Sequence, residues 1–411
     1  MYLKIGIVTG EYPPMEGGVG AFTQALGRAL AEAGHEIHVI TGRQERPPAS
    51  DPSFGDSGPS LRTRRQSLLE PVESEGSWLH PVVRRWRWPA LAQVAEVVER
   101  YELDLVNIQY QAAAYDMGSP AINFLPWRLK GLVKTVVTFH DLRVPYLFPK
   151  AGRLRPAAVR FMARQAHGVI VTNVDDYDAL RLAIRDWRLC QIPIGSNIEV
   201  YRPNHIEVAE ARELLGLNEG DCLLGFFGFV HQSKGADVLV QALDRLDERF
   251  HLVFIGGRTG SSDSANNQAF LNRLEALIME LDLADRVHWT GFLSDKRVSA
   301  YLAAADMLVM PYRDGASLRR GTLMAALAHG CPLITTEPTI ATPELAHGQN
   351  VWLAPVDDAA ALKEAIEELA ADPGLREQIG QAAAAVATLF TWDRIAEKTA
   401  GFFQEVVATR G

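Results

Sequence analysis

Hydrophobic and polar positions follow two rhythms along this chain. Short, continuous runs of β-branched and apolar residues recur at 3–10, 36–42, 103–110, 134–140, 168–173 and 190–195. A second set follows at 222–228, 251–256, 286–291, 307–312, 332–337 and 350–355. Such runs suit parallel strands covered on both faces, where the alternation of a half-exposed sheet is lost. Between them the spacing becomes helical. Phe22, Ala25, Leu26, Ala29, Leu30 and Ala33 form one buried stripe, and Val238, Leu239, Ala242, Leu243 and Leu246 form another. Strand–helix alternation, run through twice, predicts two doubly wound, Rossmann-like α/β domains facing a cleft. The segment "SNIEVYRPNHIE" (196–207) is the expected linker, and "RQERPPASDPSFGDSGPS" (43–60) is expected to be a mobile surface loop.

The totals agree with two domains, since 411 residues exceed what one core usually holds. A net charge of −9 argues against nucleic acid as a partner. Three cysteines, Cys190, Cys222 and Cys331, read as reduced thiols of a cytoplasmic protein rather than a disulfide framework. No His/Cys cluster has metal-site spacing, the N-terminus enters a strand pattern without a signal peptide, and no apolar run reaches membrane-spanning length. Neither metal nor cofactor is expected.

Open parallel sheets bind ligands beyond the carboxyl ends of their strands. Three such places carry suggestive residues. "GEYPPMEGGVG" (10–20) lies between the first strand and a helix, where Gly17 and Gly18 let backbone approach an anion. It is a poor dinucleotide fingerprint, because the third glycine position is Thr23 and the second strand ends without a ribose-binding acid. "GFVHQSKG" (228–235) repeats the arrangement and puts Lys234 where a phosphate would sit, although a solvated surface lysine is the commoner outcome. His140, in "TFHD", ends a strand; it suits either a hydrogen bond to a sugar or a purely structural bond.

In their order along nearly the whole chain, these segments resemble a family. "EYPPMEGGVG", "FHD", "IPIGSNIEVYRP", "GFFGFVHQSKGADVLVQAL", "VHWTGFLSDKRVSAYLAAADMLVMPY", "LAHGCPLITT" and "FTWDRIAEKTAGFF" are similar to the retaining GT-B glycosyltransferases that include sucrose synthases and mannosyltransferases. The resemblance implies an N-terminal acceptor-side domain (1–198), a C-terminal donor domain (208–388) and a final helix (389–411) crossing back to the first domain. It implies a nucleotide-diphosphate sugar as donor, a sugar or lipid-linked acceptor, and metal-independent chemistry. Gly17 and Gly18 would approach the donor phosphate or sugar, His140 would bond the transferred sugar, and Phe292 and Leu293 would offer backbone groups to the base.

Two departures stand out. The family's diphosphate-gripping arginine is replaced by Phe229, and its two glutamates fall on Ser317 and Ala325. Beside the first lost glutamate, after Leu318, stand Arg319 and Arg320 at an expected helix start. One of them would replace the missing cation, or both would pair with Asp314. With Lys234, they are the expected catalytic cations. The lost glutamates also leave open a nucleotide-sugar-binding protein without turnover; a sugar-nucleotide epimerase is disfavoured by the lack of an acid set for proton abstraction. Finally, 77–98 mixes Trp78, Trp86 and Trp88 with Arg84, Arg85 and Arg87. That mixture suits a peripheral contact with the inner face of a membrane, or a helix whose arginine stems cover apolar surface.

Overall fold

The computed structural model describes residues 1–15, 17–43, 71–116, 118–142, 154–258 and 264–409. The loop expected over 43–60 lies outside the described residues except for Arg43. The chain divides into two compact units, Met1–Pro193 with Trp392–Gly411, and Ile194–Thr391.

The first unit holds one sheet of eight strands: β1 Lys4–Val8, β2 Glu36–Gly42, β3 Val72–Ser74, β4 Ser77–Val83, β5 Leu105–Tyr110, β6 Lys134–Phe139, β7 Gly168–Val171 and β8 Leu189–Gln191. Their order is β3-β4-β2-β1-β5-β6-β7-β8, parallel throughout except for the β3–β4 hairpin. The continuous apolar runs do mark buried strands: all six residues of β5 are buried, as are five of six in β6. The helix Gly18–Glu32 buries the predicted stripe through Phe22, Leu26, Ala29 and Leu30.

The helix Trp392–Ala408 belongs to this unit and packs against Gly18–Glu32. Trp392 meets the Phe22 ring at 5.2 Å. A Cβ on Gly168 would lie 2.8 Å from Val406, so the helix rests directly on the start of β7.

One element differs from the sequence reading. Residues 77–83 are strand β4, and a helix begins only at Trp88. Pro81 obscures the strand in sequence because it cannot donate to the ladder. The sheet accommodates it with a register shift between Ile40 and Gly42 on β2, opposite His80 and Val83. Trp86 is buried against Tyr115, whereas Trp78 and Trp88 are exposed on different elements.

The second unit is a six-stranded, fully parallel sheet of β9 Cys222–Phe227, β10 Phe250–Ile255, β11 Val287–Trp289, β12 Met307–Met310, β13 Leu333–Thr336 and β14 Trp352–Ala354. Its order is β11-β10-β9-β12-β13-β14. The chain reverses direction across the sheet between β9 and β12, as it does between β1 and β5 in the first unit. At such a switch the connections leave on opposite sides and open a crevice at the carboxyl ends of the strands.

Candidate functional site

In the second unit the switch point collects most of the singled-out residues. Directly after β9 comes Gly228, whose φ is +97°, a conformation that disfavours any side chain. A Cβ there would stand 2.6 Å from the Thr322 methyl and 2.9 Å from Lys234 Nζ. Gly228 thus leaves a small space bounded by Lys234 and Thr322. Lys234 ends the one-turn helix Gln232–Lys234, which His231 caps by accepting the Ser233 N–H at 3.1 Å. Gly235 then turns left-handed, and a Cβ on it would meet the Pro311 carbonyl at 2.1 Å. That contact pins the lysine loop to the end of β12.

A second clamp comes from Arg313. It donates twice to Asp237 at 2.9 Å, to Asp357 at 2.6 Å and to the Gln232 carbonyl at 3.1 Å. This bidentate guanidinium ties the lysine loop to the segment after β12. Lys234 is half-buried, and its amine has no hydrogen-bond or ion-pair partner among the described residues. Burial, and then the nearby Arg320, push it down to about 7.

Arg319 and Arg320 lie just before the helix Gly321–Ala328. Both donate to Asp314, Arg319 at 3.1 Å and Arg320 in a closer contact. Pairing with Asp314 is thus what the structure displays for both. Arg320 also lies over the Tyr312 ring, 4.1 Å from its centroid, and Tyr312 bonds Thr322 at 2.9 Å. One carboxylate therefore serves two guanidiniums, and the Arg320 Nε is buried without a partner. Arg320 caps the helix with backbone only, so the first N–H groups of the helix add positive potential.

The departures have structural counterparts. Phe229 lays its ring against Gly257. The Ser317 carbonyl accepts the Arg320 N–H at 3.1 Å, and Leu318 continues that turn, half-buried. Ala325 is fully buried. Phe292 and Leu293 follow β11, with the Phe292 ring 72% exposed.

In the first unit, the helix start after β1 is already occupied by a carboxyl group of the chain itself. Glu11, almost fully buried, accepts the N–H groups of Val19 at 3.0 Å and Gly20 at 3.4 Å through Oε1. A Cβ on Gly17 would lie 2.2 Å from this carboxylate, so Gly17 is small to admit Glu11. Gly18 faces open space. His140 lies beyond β6, its Nε2 2.8 Å from Gln109 Oε1 and its ring edge-on to Phe22 at 4.7 Å. Burial pushes its imidazole down to about 4, so the ring is neutral at pH 7. Among the described residues no three His, Cys, Asp or Glu side chains are grouped as metal ligands.

Comparison with known proteins decides the family. Residues 17–195 match the family model described as glycosyl transferase 4-like domain, and 221–372 match that for glycosyl transferases group 1. The chain is a GT-B glycosyltransferase of this family. It is 26% identical to a D-inositol 3-phosphate glycosyltransferase of Acidothermus cellulolyticus, over 96% of this chain and 87% of that protein. It is 24% identical to a Mycobacterium tuberculosis GDP-mannose-dependent alpha-(1-6)-phosphatidylinositol monomannoside mannosyltransferase, over 99% and 100%. Among solved structures, a Thermosynechococcus elongatus sucrose-phosphate synthase superposes with a TM-score of 0.75 at 22% identity, covering 99% of each chain. Anabaena HepE, solved with UDP and glucose, gives 0.74 at 19% identity, covering 98% and 99%.

Four residues of this glycosyltransferase escaped the sequence reading. Glu11 sits inside a quoted motif and Arg313 directly after one, but only the fold reveals what they hold. Asn197 lies in the linker motif; its buried Oδ1 has no partner and abuts Gly321 at the helix start. Gln109 lies in a strand, where a polar side chain gives no periodic signal.

Proposed function

We propose that this glycosyltransferase moves a hexosyl group, with retention and without a metal, from a nucleoside-diphosphate sugar to a hydroxyl-bearing acceptor. The observation that carries the reading is the partnerless Lys234 amine in the space left by Gly228, next to two arginines that both donate to Asp314. This group of cationic side chains lies at the sheet's switch point, so it suits a diphosphate. As the glycosidic bond breaks, negative charge grows on the departing diphosphate, and fixed cations there stabilise the transition state more than the ground state. Each charge-assisted hydrogen bond is worth about 1.5–3 kcal/mol. Retention is what the family resemblance implies, and the hexose follows the relatives' names. Donor-dependent transfer of the sugar is the test.

The acceptor in this reading is a sugar or a lipid-linked sugar. Exposed Trp78 and Trp88, with Arg84, Arg85 and Arg87 between them, supply apolar and basic groups for a membrane surface. Among the described residues no helix is long and apolar enough to cross a membrane. Flotation with anionic liposomes is expected to carry the wild type upward and leave the Arg84/Arg85/Arg87→Glu variant behind. Equal flotation of both, or of neither, would remove the membrane contact.

A further inference from the structure

We propose that Gln109 is a positioning residue that fixes His140 in the Nε2–H tautomer, so that Nδ1 accepts a hydrogen bond from a hydroxyl of the bound sugar. The inference rests on the transferase reading above, together with the family resemblance, which implies that His140 meets the transferred sugar.

The Val136 carbonyl only accepts. Asn107 Nδ2 lies 3.4 Å from it and 2.9 Å from Thr138 Oγ1, so the amide end of Asn107 faces that way. Asn107 Oδ1 then faces Gln109, and an amide oxygen can only accept. Gln109 must therefore present Nε2 to it, and the two are in close contact. The remaining polar atom of Gln109, Oε1, lies 2.8 Å from His140 Nε2. Because Oε1 also only accepts, the proton sits on His140 Nε2. A neutral imidazole has one ring proton, which leaves a lone pair on Nδ1.

Nothing in this relay is free to turn. Asn107 and Gln109 are both 0% exposed and are two residues apart on β5, hence on the same face of the sheet. Reversing Gln109 would set Oε1 against Asn107 Oδ1, two acceptors in contact. Reversing Asn107 as well would set its oxygen against the Val136 carbonyl. Phe22 packs edge-on against the imidazole and holds its plane. Among the described residues Nδ1 has no hydrogen-bond partner. A ring held this way distinguishes donors from acceptors in its ligand: it receives a sugar O–H and rejects a group that can only accept.

The test reads the tautomer directly. In 15N-histidine-labelled enzyme without substrate, the His140 resonances should show protonated Nε2 and unprotonated Nδ1 at pH 7, without titrating above about pH 5. Gln109→Met removes the acceptor at similar length. It should mix the tautomers and lower kcat/KM for the donor at least tenfold, while nucleoside-diphosphate binding stays within twofold. Gln109→Glu keeps an acceptor toward His140 and adds charge, while its second oxygen then faces Asn107 Oδ1; where it folds, it should raise the His140 pKa and make activity fall on the acid side, as Nδ1 takes a proton. If neither variant folds, the wild-type tautomer decides alone. A protonated Nδ1 in active wild type, or full activity with an unchanged tautomer in Gln109→Met, would overturn the inference. A wild type that shows the expected tautomer but turns over none of UDP-glucose, GDP-mannose and ADP-glucose would overturn the transferase reading, and the sugar contact with it.

Discussion

Lys234→Met is expected to lower kcat/KM for the donor by at least about tenfold, equivalent to roughly 1.4 kcal/mol. The unliganded variant should melt no lower than wild type, because the partly desolvated amine has no partner to lose and so costs stability rather than adding it. A pH signature accompanies the loss. The folded-state pKa, about 7, lies below the usual 10.5, so between those values the unfolded chain holds more protons and stability rises with pH. A bound diphosphate reverses this preference by favouring the ammonium. Donor binding should therefore take up a proton above neutrality, and affinity should fall as pH rises from about 7, by up to tenfold per unit. The diphosphate of a nucleotide sugar does not itself ionise near neutrality, so the slope belongs to the protein. Calorimetric titration at several pH values checks it. The assignment fails if Lys234→Met keeps donor kinetics, or the same pH slope, as wild type.

The second large effect is expected at Arg319 and Arg320, changed one at a time. Without ligand, both guanidiniums are held by Asp314. Of the two, Arg320 is the guanidinium whose charge depresses Lys234. Arg320→Met is therefore expected to cost more than Arg319→Met, lowering kcat about tenfold or more through loss of one charge-assisted bond in the transition state. Phe229→Arg in the Arg320→Met background should recover part of the loss if both positions serve one phosphate site. The Phe229 ring already rests on Gly257, so the new side chain has glycine beneath it rather than a bulky neighbour. Steady-state kinetics with melting curves separate the cases. Intact kcat in both single variants would reduce the arginines to structural partners of Asp314.

The fold was legible because its signal is repetitive. Each apolar run marked one strand of a parallel sheet, since burial on both faces leaves little choice but Val, Ile, Leu and Phe. The β3–β4 hairpin was not legible: Pro81, His80 and the arginines after it break the apolar run, and only pairing with β2 makes a strand of it. The candidate site was legible in part. Lys234 could be placed because a loop between a strand end and a helix start has few destinations. Glu11 could not, because the glycines beside it suggest a ligand from outside, and only distance shows that the chain supplies its own carboxylate. The same holds for Asp314 under Arg319 and Arg320. Charge content is visible in sequence, but which acid meets which base is decided by contacts distant in the chain, as with Arg313 and its partners Asp237 and Asp357. Gln109 is the extreme case, since its meaning depends on a chain of hydrogen bonds across two strands.

The most direct test of the account is transfer itself. UDP-, GDP- and ADP-sugars are first ranked by the rise in melting temperature they give, since a ligand that binds only the folded state stabilises it by mass action. The best donor is then incubated with the protein, and release of nucleoside diphosphate and the anomeric form of the sugar product are followed by proton NMR. The account predicts a stabilising donor, nucleoside diphosphate released in step with sugar transferred or hydrolysed, retention of the donor's anomeric configuration, and activity that persists in chelator. A donor that stabilises the wild type and is never consumed would contradict it, and would make this chain a nucleotide-sugar binder that lost catalysis with its two glutamates.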